Sequence, residues 1–186
     1  MDVRALAEAR ILDADGASFR VGDLWRERPA VIVWLRHFGC VYCREQVKEL
    51  SAVEPALEAA GIRLVFIGNG TPRAARWFRD KHAAGETVLT DPELVTYRII
   101  GTRRGVTSTL GPHTWKHAIR ALRRGARQGR VRGHPFEQGA VLVIDRRGTV
   151  HYRHVSRSAG DHPEAGDVVD AASAALGGVP GIAASA

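Results

Sequence analysis

The chain has 186 residues, of which 45% are hydrophobic and 25% are charged, and its formal net charge is +7. These values are ordinary for one globular domain with a substantial core, and two cysteines are too few for a disulfide scaffold. The N-terminus has no basic segment followed by an apolar one, and no apolar run is long enough to span a bilayer. We therefore expect no signal peptide, no membrane helix and a cytoplasmic location.

The first part of the chain alternates predicted strands with predicted helices. Residues 11–25 are predicted to form two short strands joined by a turn. The apolar, β-branched residues 29–36 are typical of a strand buried on both faces. Apolar residues at helical spacing predict a helix over residues 40–60, which Pro55 should kink or restart. The pattern then predicts a strand over 62–70, a helix over 72–85, a strand over 87–91 and a helix over 92–101.

Basic residues are concentrated in one window of the chain. Between Leu94 and Phe136 there is no Asp or Glu, but there are ten Lys and Arg residues. Outside this window the chain has 17 basic residues (27 minus 10) against 20 acidic ones, so the positive charge is local. We expect a basic helical insertion at about 101–136, with its helix at roughly 113–127.

The last part of the chain completes the predicted domain. Residues 139–155 are predicted to form a hairpin, residues 163–176 an amphipathic helix, and residues 177–186 a flexible tail. Neither an internal repeat nor a domain linker is evident, so residues 1–176 are predicted to form a single domain. The order of elements predicts an α/β sandwich with a central mixed sheet and helices on both faces.

Cys40 and Cys43 lie in "FGCVYCRE", at the junction of the strand 29–36 and the helix 40–60. They allow three interpretations: a structural metal site, two packed core thiols, or a redox-active dithiol. A zinc site needs about four ligands, and even with His37 the set is incomplete, so we expect no metal. A C-x-x-C at the first strand-to-helix junction is the thioredoxin-like arrangement, which favours the dithiol.

The helix start predicts different roles for the two thiols. Cys40 would meet unsatisfied backbone N–H groups and the positive end of the helix dipole, which stabilise a thiolate. We expect it to face outward past Gly39 and to act as the nucleophile, while Cys43 attacks the mixed disulfide or sulfenic acid formed on it. Arg44 and His37 are candidates to stabilise the thiolate further, although a solvated helix face is an equal alternative for Arg44.

Several segments resemble one known family. "WLRHFGCVYCREQ", "GIRLVFIGNG", "LTDPELVTYRIIG", "QGAVLVIDRRGTVHYRH" and "AGDHP" are similar to the peroxiredoxin-like 2 branch of the AhpC/TSA (alkyl hydroperoxide reductase) group, from about Ile11 to Leu176. The resemblance implies a thioredoxin fold with Cys40 as the redox-active cysteine and Cys43 as its partner. It also implies an antioxidant, thiol-dependent reductase with no cofactor beyond its own disulfide, reduced by an external donor such as thioredoxin or glutathione.

Two positions depart from the pattern of related families. His37 stands three residues before Cys40, where typical peroxiredoxins carry a Thr or Ser whose hydroxyl orients the peroxide, so we expect weak peroxide turnover. Thioredoxins place a cis-proline before the strand that faces the site, whereas Gln138 and Gly139 stand there in this chain. We therefore expect a differently built substrate groove, with Gln138 lining it.

The leading interpretation is an oxidoreductase that cycles Cys40 and Cys43 and reduces a peroxide, a disulfide or a related electrophile. One alternative is a redox sensor that does not turn over. Another is a non-enzymatic module that binds an anionic partner through the basic segment 94–136. Nucleic acid is not the favoured partner, because the predicted basic helix contains one aromatic residue, Trp115, and no recognised nucleic-acid motif.

Overall fold

A computed structural model describes residues 1–104 and 133–176. The predicted basic helix at 113–127 and the predicted tail 177–186 lie outside the described residues. The described residues on the two sides of the gap at 105–132 contact each other. Arg104 forms a β-bridge with Glu137, and the Gln138 N–H donates to the Arg103 carbonyl at 3.0 Å.

The described residues contain helices and strands close to those predicted. The helices are α1 (Val3–Glu8), α2 (Val41–Ala59), α3 (Pro72–His82), α4 (Val95–Ile100) and α5 (Ala165–Ala175), with a short 3-10 helix at Val21–Leu24. The strands are β1 (Arg10–Leu12), β2 (Ser18–Arg20), β3 (Ala30–Trp34), β4 (Arg63–Gly68), β5 (Thr87–Thr90), β6 (Ala140–Ile144) and β7 (Val150–Val155). α1 is an additional helix that the sequence pattern does not predict, and α2 runs through Pro55 as one helix rather than restarting there. Within the described ranges, no helix is long and apolar enough to cross a membrane.

The strands form one mixed sheet in the order β2-β1-β5-β4-β3-β6-β7. β3, β4 and β5 are parallel, whereas β6 and β7 on one side and β1 and β2 on the other are antiparallel to their neighbours. β3 is therefore an interior strand, paired with β4 on one side and β6 on the other, and the chain that leaves its C-terminal end starts from a buried part of the sheet.

Two layers of helices cover the two faces of this sheet. In β3 the side chains alternate, so Val31 and Val33 pack in the core beneath α2, α3 and α5, while Ile32 and Trp34 pack in the core beneath α1 and α4. Every residue of β3 is buried. The predicted three-layer sandwich with helices on both faces of a mixed sheet is confirmed.

A close contact between β4 and the loop after β3 fixes the position of that loop. Phe38 is fully buried, and its ring packs on Phe78 of α3 with centroids 5.3 Å apart. Gly68, the last residue of β4, lies directly against the same ring, and a Cβ atom at Gly68 would overlap it. The loop can approach the sheet this closely only because position 68 has no side chain.

Gly68→Ala is expected to lower the free energy of unfolding by about 3 kcal/mol, because Phe38 must leave its packed position. Gly166→Ala is the matched control, since a Cβ at Gly166 in α5 meets no atom within 4 Å and alanine favours helix. Urea unfolding measures the change in the free energy of unfolding for both variants, provided that their m-values equal that of the wild type. A Gly68→Ala protein as stable as the Gly166→Ala protein would contradict the packing argument.

Candidate functional site: the cysteine pair

The two cysteines lie at the turn between β3 and α2. Cys40 is the residue that caps the N-terminus of α2, with an extended backbone (φ −73°, ψ 129°), and Cys43 lies in the first helical turn. The Cys40 N–H donates to the His37 carbonyl at 3.1 Å, which closes the turn. Both sulfur atoms therefore lie at the end of the helix where the N–H groups point out of the helix.

Both thiols are buried, which differs from the expectation that Cys40 faces outward. Cys40 is 1% exposed and Cys43 is 3% exposed, and both belong to the core beneath α2, α3 and α5. The reason is local. Phe38 lies in the loop between β3 and α2 and packs in the core, so Cys40, two residues later, is buried as well.

Cys40 is held as a thiolate at neutral pH. A hydrogen bond from the Cys43 thiol is the main cause that lowers the pKa of Cys40 from 9.0 to about 6, against the opposing effect of burial. The positive charge of Arg36 and the backbone N–H groups of Cys43 and Tyr42 lower the pKa further.

Cys43 is held as the protonated partner. Burial raises the pKa of Cys43 well above its ordinary value, and its hydrogen bond to Cys40 and the negative charge of Cys40 raise it further. The Arg36 backbone N–H lies 3.2 Å from the Cys43 sulfur and donates to it. The pair thus combines a buried thiolate with an adjacent thiol that holds a proton, an arrangement suited to thiol–disulfide chemistry.

Arg36 is a site residue that the sequence analysis missed. It is 7% exposed, its Nη1 lies 3.5 Å from the Cys40 sulfur, and its Nη2 donates to the Pro135 carbonyl at 2.9 Å. The available signal was a basic residue four positions before the first cysteine, at the end of an apolar strand. The sequence instead favours Arg44, because it directly follows the second cysteine.

His37 and Gly39 lie in the same loop and contact each other. His37 is 3% exposed, and its Nδ1 accepts a hydrogen bond from the Gly39 N–H at 3.1 Å. Burial, with a smaller contribution from the charge of Arg36, lowers the pKa of His37 to about 4. His37 is therefore neutral at neutral pH and supplies no positive charge to the Cys40 thiolate.

The structure places the side chains of Arg44 and Gln138 in different surroundings. The charge of Arg44 helps to lower the pKa of His82 in α3, an effect whose main cause is burial of His82. Gln138 is fully buried and directly precedes Gly139, which packs against the Trp34 carbonyl at the end of β3. The predicted role of Gln138 in lining a substrate groove stays a prediction.

The "AGDHP" segment lies beside the second cysteine. A small cleft is lined by Tyr42, Cys43, Gln46, Asp161 and His162, among other residues. The His162 side chain is 8% exposed, and the Asp161 carboxylate accepts from the Arg157 N–H at 2.7 Å. This segment, which is distant in sequence, thus lines the same cleft as Cys43.

A larger cavity of about 890 Å³ lies elsewhere and includes neither cysteine. It is bordered by Pro29 just before β3, Asp145 just after β6 and Ala175 at the end of α5. Its arginines include Arg26 and Arg28, which form ion pairs with Asp23 at 2.7 Å and Glu58 at 2.6 Å. Across the described ranges, no three His, Cys, Asp or Glu side chains are grouped so that they could hold a metal. The cysteine pair is therefore the candidate functional site.

Comparisons with known protein sequences give a consistent result. The family model described as "AhpC/TSA antioxidant enzyme" matches residues 49–158, more than half of the chain and entirely after Cys43. "Peroxiredoxin-like 2C" from Bos taurus is 31% identical over 168 residues, which cover 85% of this chain and 74% of that protein. "Prostamide/prostaglandin F synthase" from Pongo abelii is 30% identical over 152 residues, which cover 79% of this chain and 76% of that protein.

Solved structures of the same fold include a peroxidoxin and a thiol:disulfide interchange protein. Peroxidoxin BcpB from Mycobacterium tuberculosis superposes with a TM-score of 0.64 at 15% identity, over 93% of this chain and 94% of that chain. A DsbE-type thiol:disulfide interchange protein from Chlorobium tepidum superposes with a TM-score of 0.61 at 17% identity, over 92% and 94%. These likenesses establish a thioredoxin-like fold.

Proposed function

The chain belongs to the AhpC/TSA antioxidant enzyme family and is a thiol-dependent oxidoreductase; from this premise we propose that it cycles Cys40 and Cys43 between a dithiol and a disulfide. The observation that carries the proposal is the geometry of the pair: both cysteines lie at the start of α2, Arg36 Nη1 lies 3.5 Å from the Cys40 sulfur, and the Arg36 N–H donates to the Cys43 sulfur at 3.2 Å. The pKa of Cys40 is lowered and that of Cys43 is raised, which agrees with this geometry. One sulfur is ready to attack, and the other retains a proton for the step that follows.

In the first step the Cys40 thiolate attacks an electrophilic atom of the substrate. With a peroxide, an S–O bond forms and the O–O bond breaks, which gives a sulfenic acid on Cys40 and an alcohol or water once the leaving oxygen takes a proton. With a disulfide, a new S–S bond forms and the substrate's S–S bond breaks, which gives a mixed disulfide and a free thiolate.

In the second step Cys43 attacks the Cys40 sulfur. The intramolecular disulfide forms, and water or the second substrate thiol leaves with the proton that Cys43 carried. The two thiols have then supplied the two electrons that reduce the substrate. An external dithiol returns them through a mixed disulfide, so no bound cofactor is required by the proposed cycle.

We infer a peroxide, a disulfide or a related electrophile as the substrate, and a thioredoxin-type dithiol or glutathione as the donor. The test is turnover of the reduced protein with one hydroperoxide and one low-molecular-weight disulfide, each coupled to NADPH through thioredoxin or through glutathione. We expect repeated turnover with at least one pair, accompanied by loss of two free thiols and two hydrogens in the oxidised protein. Oxidation that stops at one equivalent with both donors would instead indicate a redox sensor.

Hydrogen peroxide is expected to be a poor substrate, because His37 offers a buried neutral ring in place of the hydroxyl that orients a peroxide. The second-order rate constant should lie within about tenfold of that of a small thiol, once both are normalised to thiolate concentration. Stopped-flow oxidation of the reduced protein measures it. A rate constant several orders of magnitude larger would contradict this prediction.

A further inference from the structure

Asn69 links the loop that carries Arg36 to the segment Gly133–Pro135, which we call the strap. Asn69 follows β4 and is 1% exposed. Its Nδ2 donates to the Arg36 carbonyl at 2.6 Å and to the His134 carbonyl at 3.4 Å, and its Oδ1 accepts from the His134 N–H at 2.9 Å. One amide side chain therefore joins two segments that are far apart in sequence.

The strap also holds the guanidinium of Arg36. The Pro135 carbonyl accepts from Nη2 at 2.9 Å, while Nη1 of the same group lies 3.5 Å from the Cys40 sulfur. A guanidinium is planar, so fixing one nitrogen fixes the direction of the other. The orientation of Arg36 toward the sulfur thus depends on where the strap lies.

We infer that Asn69 is a positioning residue of the dithiol site, which ties the strap to the Arg36 loop and so keeps the Arg36 guanidinium beside the Cys40 sulfur. The inference rests on the proposed role of Cys40 as the nucleophile. It assigns Asn69 a function in the reaction although Asn69 itself contacts neither cysteine through the hydrogen bonds described above.

The chemistry of the position fits an asparagine. The contacts need a donor for two carbonyls and an acceptor for one N–H, and a carboxamide supplies both. Aspartate would bring a second acceptor against the Arg36 carbonyl, and an apolar side chain would leave buried backbone groups unpaired. Gly133 completes the fit, since its φ is +120° and a Cβ there would overlap the Asn69 Oδ1.

The test follows the alkylation of Cys40 by iodoacetamide from pH 4.5 to 9.5, with the modified residue identified by mass spectrometry. Asn69→Ala is expected to move the midpoint of the Cys40 profile upward by about half a unit to one unit, because the guanidinium is no longer held in place. The plateau at high pH should be unchanged, since the thiolate itself remains reactive. Gly133→Ala should shift the midpoint in the same direction by displacing the strap.

Thr90→Val is the matched control. Thr90 is the last residue of β5, is fully buried beside Gly68 at the end of β4, and donates to the carbonyls of Gly68 at 3.3 Å and Gly70 at 2.5 Å. Loss of the Thr90 hydroxyl removes hydrogen bonds close to Asn69 but no contact of the strap. The free energy of unfolding should therefore fall, while the midpoint of the Cys40 alkylation profile should not change. An equal shift in Thr90→Val would overturn the inference.

A double-mutant cycle separates positioning from a general structural effect. In an Arg36→Met background, Asn69→Ala should add no further shift of the midpoint, because it acts through Arg36. A full additional shift, or an unchanged midpoint in folded Asn69→Ala and Gly133→Ala proteins, would overturn the inference. If the Asn69→Ala protein does not fold, Gly133→Ala replaces Asn69→Ala in the double-mutant cycle with Arg36→Met. Alkylation needs neither substrate nor electron donor. A failure of the proposed turnover can therefore be distinguished from a failure of the role inferred for Asn69.

Discussion

Cys40→Ser is expected to abolish turnover, with a loss of about three orders of magnitude or more, whereas Cys43→Ser is expected to lose turnover but keep the first chemical step. A serine hydroxyl does not ionise near neutral pH, so it cannot replace the Cys40 thiolate. Cys43→Ser leaves the nucleophile in place but removes the thiol that resolves the mixed disulfide. With a disulfide substrate, Cys43→Ser protein should therefore gain the mass of one substrate half, bound to Cys40.

Mass spectrometry of alkylated wild-type protein checks the same assignment without a mutation. Iodoacetamide at pH 7 should modify Cys40 well before Cys43, because the pKa of Cys40 is about 6 and that of Cys43 is raised. The double variant Cys40→Ser, Cys43→Ser measures the alkylation of residues other than cysteine. Labelling of Cys43 first, or a covalent adduct on Cys43 in the Cys40→Ser protein, would contradict the assigned roles.

Arg36→Met is expected to raise the pKa of Cys40 by about one unit, because after the hydrogen bond from Cys43 the guanidinium is the main group that favours the thiolate. A higher pKa means that a smaller fraction of Cys40 is present as thiolate at acidic pH. Reaction at pH 5 should slow by about tenfold, while reaction at pH 9 should be nearly unchanged. Absorbance of the thiolate near 240 nm, titrated in the Cys43→Ser background, measures the pKa change.

Arg44→Met is the matched control for Arg36→Met. Both substitutions remove one positive charge close to the cysteines in sequence, but the charge of Arg44 acts on His82 in α3. We expect the Cys40 titration to remain in place in this variant. Equal shifts in the two variants would mean that net charge near the helix start, rather than the contact at Nη1, sets the pKa.

Much of the fold follows from the sequence, because its central strands are uninterrupted apolar runs that only a doubly covered sheet accommodates. β3 and β6 are buried at every residue, and their positions were predicted within a few residues. α1 was missed because it has six residues and buries only Leu6, so no periodicity is visible. Pro55 did not end α2, because tertiary packing on both sides of the proline outweighs one lost backbone donor.

The cysteine pair could be found from its spacing, but its surroundings could not. Arg36 Nη2 donates to the carbonyl of Pro135, 99 residues further along the chain, while its Nη1 lies beside the Cys40 sulfur. A long-range contact of this kind leaves no periodic signal in a single sequence. The same applies to His37, whose neutral state depends on burial that its position before the cysteine does not reveal.

The burial of Cys40 has a kinetic consequence. Because Cys40 is 1% exposed, its sulfur meets an oxidant only during the fraction of time in which the loop opens, so opening and chemistry occur in series. At low oxidant concentration the rate is second order, and at high concentration it reaches a ceiling set by the opening rate alone. Such gating also protects the sulfur from a second oxidant before Cys43 closes the disulfide, because the neighbouring thiol needs no opening to react.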